Sequence, residues 1–117
     1  MSSGVYAADR IYYDNIYSGT ILASGSVSVP VSKGSEGFFS IQPIFTGSGT
    51  LKIEYQVSND GETWSPAVQI IASATSGTVY PYPEDGVNIF AGYQRIVFTE
   101  TGTSNSVVIT GVKRCAQ

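Results

Sequence analysis

Apolar and polar residues alternate along most of this chain. Between Thr50 and Ser58, Leu51, Ile53, Tyr55 and Val57 fall on one side of an extended backbone, and Lys52, Glu54 and Gln56 fall on the other. Side chains of a strand point to opposite faces in turn, so this segment predicts a strand with one buried and one wet face. A slip of one residue would put every apolar chain in water, so its register is predicted to be firmly set. Ser26 to Val31 repeats the pattern with Val27, Val29 and Val31 on one face. In Tyr93 to Glu100, Ile96 and Phe98 face in while Arg95, Val97 and Thr99 face out. In Ser106 to Arg114, Val107 and Ile109 share one face, with Val108, Thr110 and Val112 on the other.

Phe38 to Thr46 predicts a strong strand, with Phe39, Ile41 and Pro43 alternating with Phe38, Ser40, Gln42 and Ile44; other patterns predict strands over Ile16 to Ser24, Ala67 to Ala72 and Gly77 to Tyr82, and a short strand or loop over Val87 to Phe90. Pro43 has no N–H for a ladder, so its strand is expected at a sheet edge or bulged there. Turns are predicted at Lys33 to Gly37 and at Glu84-Asp85-Gly86, and hairpin loops at Gly47-Ser48-Gly49 and Thr101 to Asn105. No stretch places apolar residues at helical spacing. Short strands with regular turn signals predict an all-β, antiparallel β-sandwich, immunoglobulin-like or jelly-roll, of about eight or nine strands.

Residues 1–15 read differently. They carry Tyr6, Ile11, Tyr12 and Tyr13 without sustained alternation, too apolar for a free tail and too irregular for a central strand. This stretch is expected to be an N-terminal arm that packs on its own domain or on a neighbour, with 16–117 as a single sandwich domain.

Composition narrows the function. The chain has 117 residues, one domain's worth. Charged residues make up 13%, about half the usual share, and Ser, Thr and Gly carry the polar surface instead. The net charge is −3, and the basic residues Arg10, Lys33, Lys52, Arg95, Lys113 and Arg114 are scattered. Nucleic-acid binding needs a clustered basic face, so direct binding is not expected. Cys115 is the single cysteine and there is no histidine, which excludes an intrachain disulfide and a Cys/His metal site. Cys115 is either an incidental free thiol or an intermolecular disulfide or reactive thiol. No charged stretch leads an apolar run at the N-terminus, and no segment approaches the roughly 18 apolar residues of a membrane helix. A soluble protein without a signal peptide, a membrane partner or a cofactor is expected, made in the cytoplasm.

Catalysis finds little footing. The usual nucleophile–base triads need a histidine. The carboxylate pairs Asp60 with Glu62 and Glu84 with Asp85 lie in turns beside Gly or Pro, where solvated acids are common. The spaced oxygen ligands of a calcium loop are missing. No catalytic and no metal-binding residue is therefore assigned.

One string is distinctive: Ser58-Asn59-Asp60-Gly61-Glu62-Thr63-Trp64. Asn59, Asp60 and Gly61 form a tight turn in which Gly61 takes positive φ and Asn59 or Asp60 accepts backbone N–H groups. Trp64 then lies over the hairpin. The string resembles a shortened Asp-box, the Ser-x-Asp-x-Gly-x-Thr-Trp turn of sialidase-type propellers, with one residue missing between Asp and Gly. That resemblance implies a structural turn away from any catalytic centre.

A wider resemblance runs from Gly47-Ser48-Gly49 through Leu51 to Trp64, then Gly92-Tyr93-Gln94-Arg95-Ile96-Val97-Phe98-Thr99-Glu100-Thr101-Gly102 and the last strand. It is similar to small β-sandwich structural proteins of tailed bacteriophages, head and tail accessory or capsid decoration proteins, over roughly residues 37–114. The resemblance implies a non-catalytic virion protein that binds other virion proteins and its own copies as a homo-oligomer. It also implies that the arm ties one subunit to the next. Tyrosine favours interfaces because it buries a large ring and keeps a polar tip. The candidate interface residues are Tyr6, Tyr12, Tyr13, Tyr17, Tyr80 and Tyr82. They serve equally for sheet packing, or for stacking on sugars in a carbohydrate-binding or adhesion module, the alternative reading.

Overall fold

Alternation builds nine strands and no helix among the residues that the computed structural model describes, 12–31, 39–81, 92–102 and 105–116, with side chains for 15–31, 40–81, 92–102 and 105–113. The strands are β1 (Tyr12–Asn15), β2 (Gly19–Ile21), β3 (Ser26–Val31), β4 (Phe39–Thr46), β5 (Leu51–Ser58), β6 (Val68–Ile71), β7 (Tyr80–Pro81), β8 (Tyr93–Glu100) and β9 (Val107–Ala116). They form two antiparallel sheets. One runs β1-β9-β4-β7, with β2 also on β9; the other runs β3-β8-β5-β6.

The inward faces meet in one core. The first sheet contributes Ile21, Ile41, Val107, Ile109 and Val112, and the second contributes Val29, Leu51, Ile53, Tyr55, Ile96 and Phe98. Burying a side chain of this size is worth about 1.5–3 kcal/mol each, so these alternating positions carry the fold. The faces predicted for β3, β5 and β8 are the observed ones.

β9 departs from its predicted pattern. Ile44 of β4 is opposite Gly111 but Phe45 is opposite Ile109, so Thr110 is an extra residue in the ladder. A bulge of this kind reverses the alternation beyond it. Val112, expected on the face of Val108 and Thr110, is instead buried with Val107 and Ile109. The other side of β9 is interrupted at the same level. β1 pairs with residues 113–116 and β2 with 107–109. Between them, Ile16 N–H donates to the Val112 carbonyl at 3.0 Å, Ser18 Oγ donates to the Thr110 carbonyl at 3.0 Å, and Val112 N–H donates to Asn15 Oδ1 at 2.8 Å.

Three other expectations need correction. Residues 12–15, read as the end of an irregular arm, form β1 in the sheet; residues 1–11 lie outside the described residues. The strand expected over Ile16 to Ser24 shrinks to β2, because Ile16 to Ser18 cross the bulge. The loops at Gly47-Ser48-Gly49 and after Glu100 are not hairpins. β4 and β9 belong to one sheet and β5 and β8 to the other, so both loops arch between sheets. Among the described residues, Asn59 to Ala67 joins two sequential strands, β5 and β6, that pair with each other.

Pro43 meets its expectation in an instructive way. Its carbonyl accepts Gly77 N–H at 2.8 Å, on the side of β4 away from β9. The missing N–H therefore faces the sparsely paired side, where β7 bonds only to Ser40 and Ile41. The strand predicted over Gly77 to Tyr82 is observed as β7 alone, and Tyr82, the turn at Glu84 to Gly86 and Val87 to Phe90 lie outside the described residues.

Candidate functional site

The distinctive string folds around two side chains. Ser58, the buried last residue of β5, accepts Gly61 N–H at 2.8 Å and Asp60 N–H at 3.3 Å through Oγ, and donates to Asp60 Oδ1 at 2.9 Å. Asp60 Oδ1 also accepts Thr63 N–H and Glu62 N–H, each at 2.8 Å. Asp60, not Asn59, is thus the turn's acceptor. These bonds favour the charged form: Thr63 N–H above all, then Glu62 N–H and the Ser58 hydroxyl, hold the Asp60 carboxyl at about 2. Such a carboxylate is a poor proton donor or acceptor near neutrality, which fits a structural turn and not acid–base work. Gly61 takes φ +81°, as predicted, and a side chain there would also meet the Tyr93 ring at 3.4 Å.

The turn delivers Trp64 to the outer face of the second sheet. The Arg95 guanidinium lies over its ring, 4.1 Å from the centroid. Arg95 Nε donates to Gln56 Oε1 at 2.8 Å, and Gln56 Nε2 donates to the Ser65 carbonyl at 2.9 Å. Arg95 and Gln56 are cross-strand partners, so the sheet itself sets this stack. Tyr93, 52% exposed, stands two residues along β8 on the same face. Lys52 and Glu54 continue that face and pair at 3.6 Å. Below it, Tyr55 Oη donates to Gln94 Oε1 at 2.6 Å inside the core.

The opposite end of the sandwich is organised by Glu100, which is fully buried. Its carboxylate accepts Thr50 N–H at 2.7 Å and Ser24 N–H at 3.1 Å. Ser24 holds φ +60° and donates Oγ to the Gly102 carbonyl at 2.6 Å. One carboxylate therefore ties the β2–β3 turn to the β4–β5 and β8–β9 arches. The Thr50 and Ser24 N–H groups, with Gly102 N–H behind them, lower its pKa below the ordinary 4.5 against the opposing effect of burial. Sequence alone did not single out Glu100; its shared parity with Ile96 and Phe98 along β8 is the signal that would have pointed it inward. Its backbone partners come from distant turns and left no mark in the sequence.

The tyrosines divide. Tyr17 is half-buried and stacks on Phe98, with centroids 6.3 Å apart. Tyr80 packs on the core and accepts Thr75 N–H at 2.8 Å. Of the candidate interface residues, these two each make a contact within their own domain and stay partly exposed. Tyr12 and Tyr13 lie in β1 opposite Ala116 and Cys115, with side chains outside the description. Tyr6 and Tyr82 lie outside the described residues, as do Glu84 and Asp85. The structure thus gathers Asp60, Gly61 and Trp64 with Arg95, Gln56 and Tyr93. No group of three or more potential metal ligands occurs among the described residues.

Comparison of the chain with known protein families, curated proteins and solved structures finds no match in any of the three.

Proposed function

We propose that this chain is a non-catalytic structural protein of a tailed-phage virion, a capsid decoration or other head or tail accessory protein that works by protein–protein assembly. The observation that carries this reading is strand order. Counting β1 and β2 as one interrupted strand leaves eight. Their order is first-eighth-third-sixth in one sheet and second-seventh-fourth-fifth in the other. That order supports the jelly-roll reading of the sandwich, an architecture used by viral capsid proteins and also by lectins.

The surface favours protein neighbours over sugars. Trp64 presents one ring face to Arg95, so that face is closed to a stacking sugar. The outer face of the first sheet offers Val108, 40% exposed, between Thr20 and Thr46, with Leu22, 71% exposed, just beyond β2. These are apolar and hydroxyl side chains without charge. Interface centres are depleted of charge in the same way.

Mass spectrometry and immunogold labelling of purified particles of the phage that encodes the chain test the proposal. Stoichiometric presence on the particle supports it. Absence from particles, together with glycan-array binding that quenches Trp64 fluorescence, replaces it with the adhesion reading.

A further inference from the structure

The two ladders of β8 determine which way the backbone of β3 faces. Glu100 N–H donates to the Gly25 carbonyl at 2.9 Å, and Thr101 N–H donates to the Thr50 carbonyl at 3.0 Å. Bonded and non-bonded pairs alternate along an antiparallel ladder. With Ser26 opposite Thr99 and Val27 opposite Phe98, Val27, Val29 and Val31 therefore bond to β8. Thr99, Val97 and Arg95 turn their backbone groups to β5 instead. The N–H and C=O groups of Ser26 and Ser28, and the carbonyl of Pro30, point away from the sheet. No hydrogen bond from another described residue reaches them.

Unpaired edges invite another strand, and proteins usually blunt them with charge, bulges or cover. The other edges here are blunted. Residues 76–81 cover β4 through Gly77 N–H to the Pro43 carbonyl, Phe45 N–H to Ser76 Oγ at 2.9 Å, and β7. β6 is four residues long and its register is broken. β1 contains Asp14, and β2 is three residues long. Among the described residues β3 is the longest edge strand, six residues in unbroken register, and no charged residue occurs between Asp14 and Lys33. Ser26 and Ser28 are exposed and small, so they obstruct nothing.

We infer that the outer edge of β3 pairs with the same edge of a second copy, antiparallel, joining the two β3-β8-β5-β6 sheets into one. A second copy is the occupant this edge fits because it is self-complementary. With Val27 opposite Val27 of the other copy, Ser26 of each faces Ser28 of the other, and each donates its N–H to the other's carbonyl. Pro30, whose N–H would point outward, then lies beyond the paired stretch and costs no bond. An uncharged edge also lets two chains of net charge −3 approach without placing like charges in contact. The inference deepens the assembly reading, and the pairing itself is measured on the isolated chain.

Sedimentation equilibrium of the full chain up to about 0.1 mM tests it, a range that detects any dimer of micromolar affinity. The native chain should dimerise. Ser28→Pro removes an outward N–H without touching the β8 ladder, as Pro30 already does, so it should stay folded and become monomeric. A charge pair gives a second readout. Ser26→Lys with Ser28→Lys sets like charges opposite one another across the two-fold, whereas Ser26→Glu with Ser28→Lys sets opposite charges there. The first should dimerise about tenfold or more weakly than the second. A monomeric native chain overturns the inference. A native dimer that both Ser28→Pro and the lysine pair leave intact overturns it too, by assigning the contact to another surface. Dimers of a chain absent from particles would keep the edge and sink the virion reading; a monomer present on particles would do the reverse.

Discussion

Arg95 lies over the ring of Trp64, 4.1 Å from its centroid, and is held there by Gln56, its neighbour across the β5–β8 ladder. A turn delivers the ring and a sheet delivers the cation, so the contact links local to tertiary structure. A double-mutant cycle of Arg95→Ala and Trp64→Ala should return a coupling of about 0.5–1 kcal/mol, typical of a partly exposed cation–π pair. Urea unfolding measures it, and a coupling indistinguishable from zero removes the stack as a stabilising contact.

Gly61→Val should destabilise the fold by about 1–3 kcal/mol, because a β-branched residue fits positive φ poorly. The first carbon of the new side chain also meets the Tyr93 ring at 3.4 Å, so its branches must fit beside that ring. Gly77 shares the positive φ, +85°, but has no atom within 4 Å. Gly77→Val should therefore cost less, and thermal unfolding of the two variants separates strain from contact.

Ile53→Ala removes a fully buried side chain where β5 meets the core. Lost burial and the cavity left behind should cost about 2–5 kcal/mol. Chemical denaturation checks it; a cost near the surface range of about 0.5 kcal/mol would contradict the inward face of β5.

Asp60 and Glu100 both have lowered pKa values in the folded chain, Asp60 from 3.8 to about 2. A carboxylate held below its unfolded value adds stability above that value and loses it as pH falls through the folded one. The melting temperature should thus drop between about pH 4 and about pH 2, with little change above. Asp60→Asn removes Asp60's share of that acid slope, and Glu100→Gln removes the share of Glu100. An unchanged slope in both variants would show that neither carboxylate is the source.

Deleting residues 1–11 should leave thermal unfolding near that of the full chain and weaken co-sedimentation with particles. Deleting 1–15 should lower the melting temperature further, since it removes β1 from β9 and the Asn15 bond to Val112 N–H. Equal stability of the two truncations would show that β1 adds nothing to the sheet.

The sequence by itself determined which way side chains face wherever a strand is regular. Period-two alternation set the inward residues of β3, β5 and β8, because facing follows from the geometry of one extended strand. It also determined the Gly61 turn, whose bonds close within Ser58 to Thr63. Only the tertiary structure decided which strands pair. Gly47-Ser48-Gly49 looks like a hairpin, since a loop carries no record of whether the next strand stays in its sheet or crosses to the other. The bulge at Thr110 belongs to the same class: it is a mismatch between β4 and β9 and is legible in neither strand alone, yet it buries Val112. Glu100 and Arg95 complete the division. Glu100 shares the parity of the inward Ile96 and Phe98, and alternation assigned Arg95 to the surface. Their partners, Ser24 and Thr50 for one and Trp64 and Gln56 for the other, are set by contacts between segments far apart in the chain, and such pairings are fixed by packing and not by local sequence.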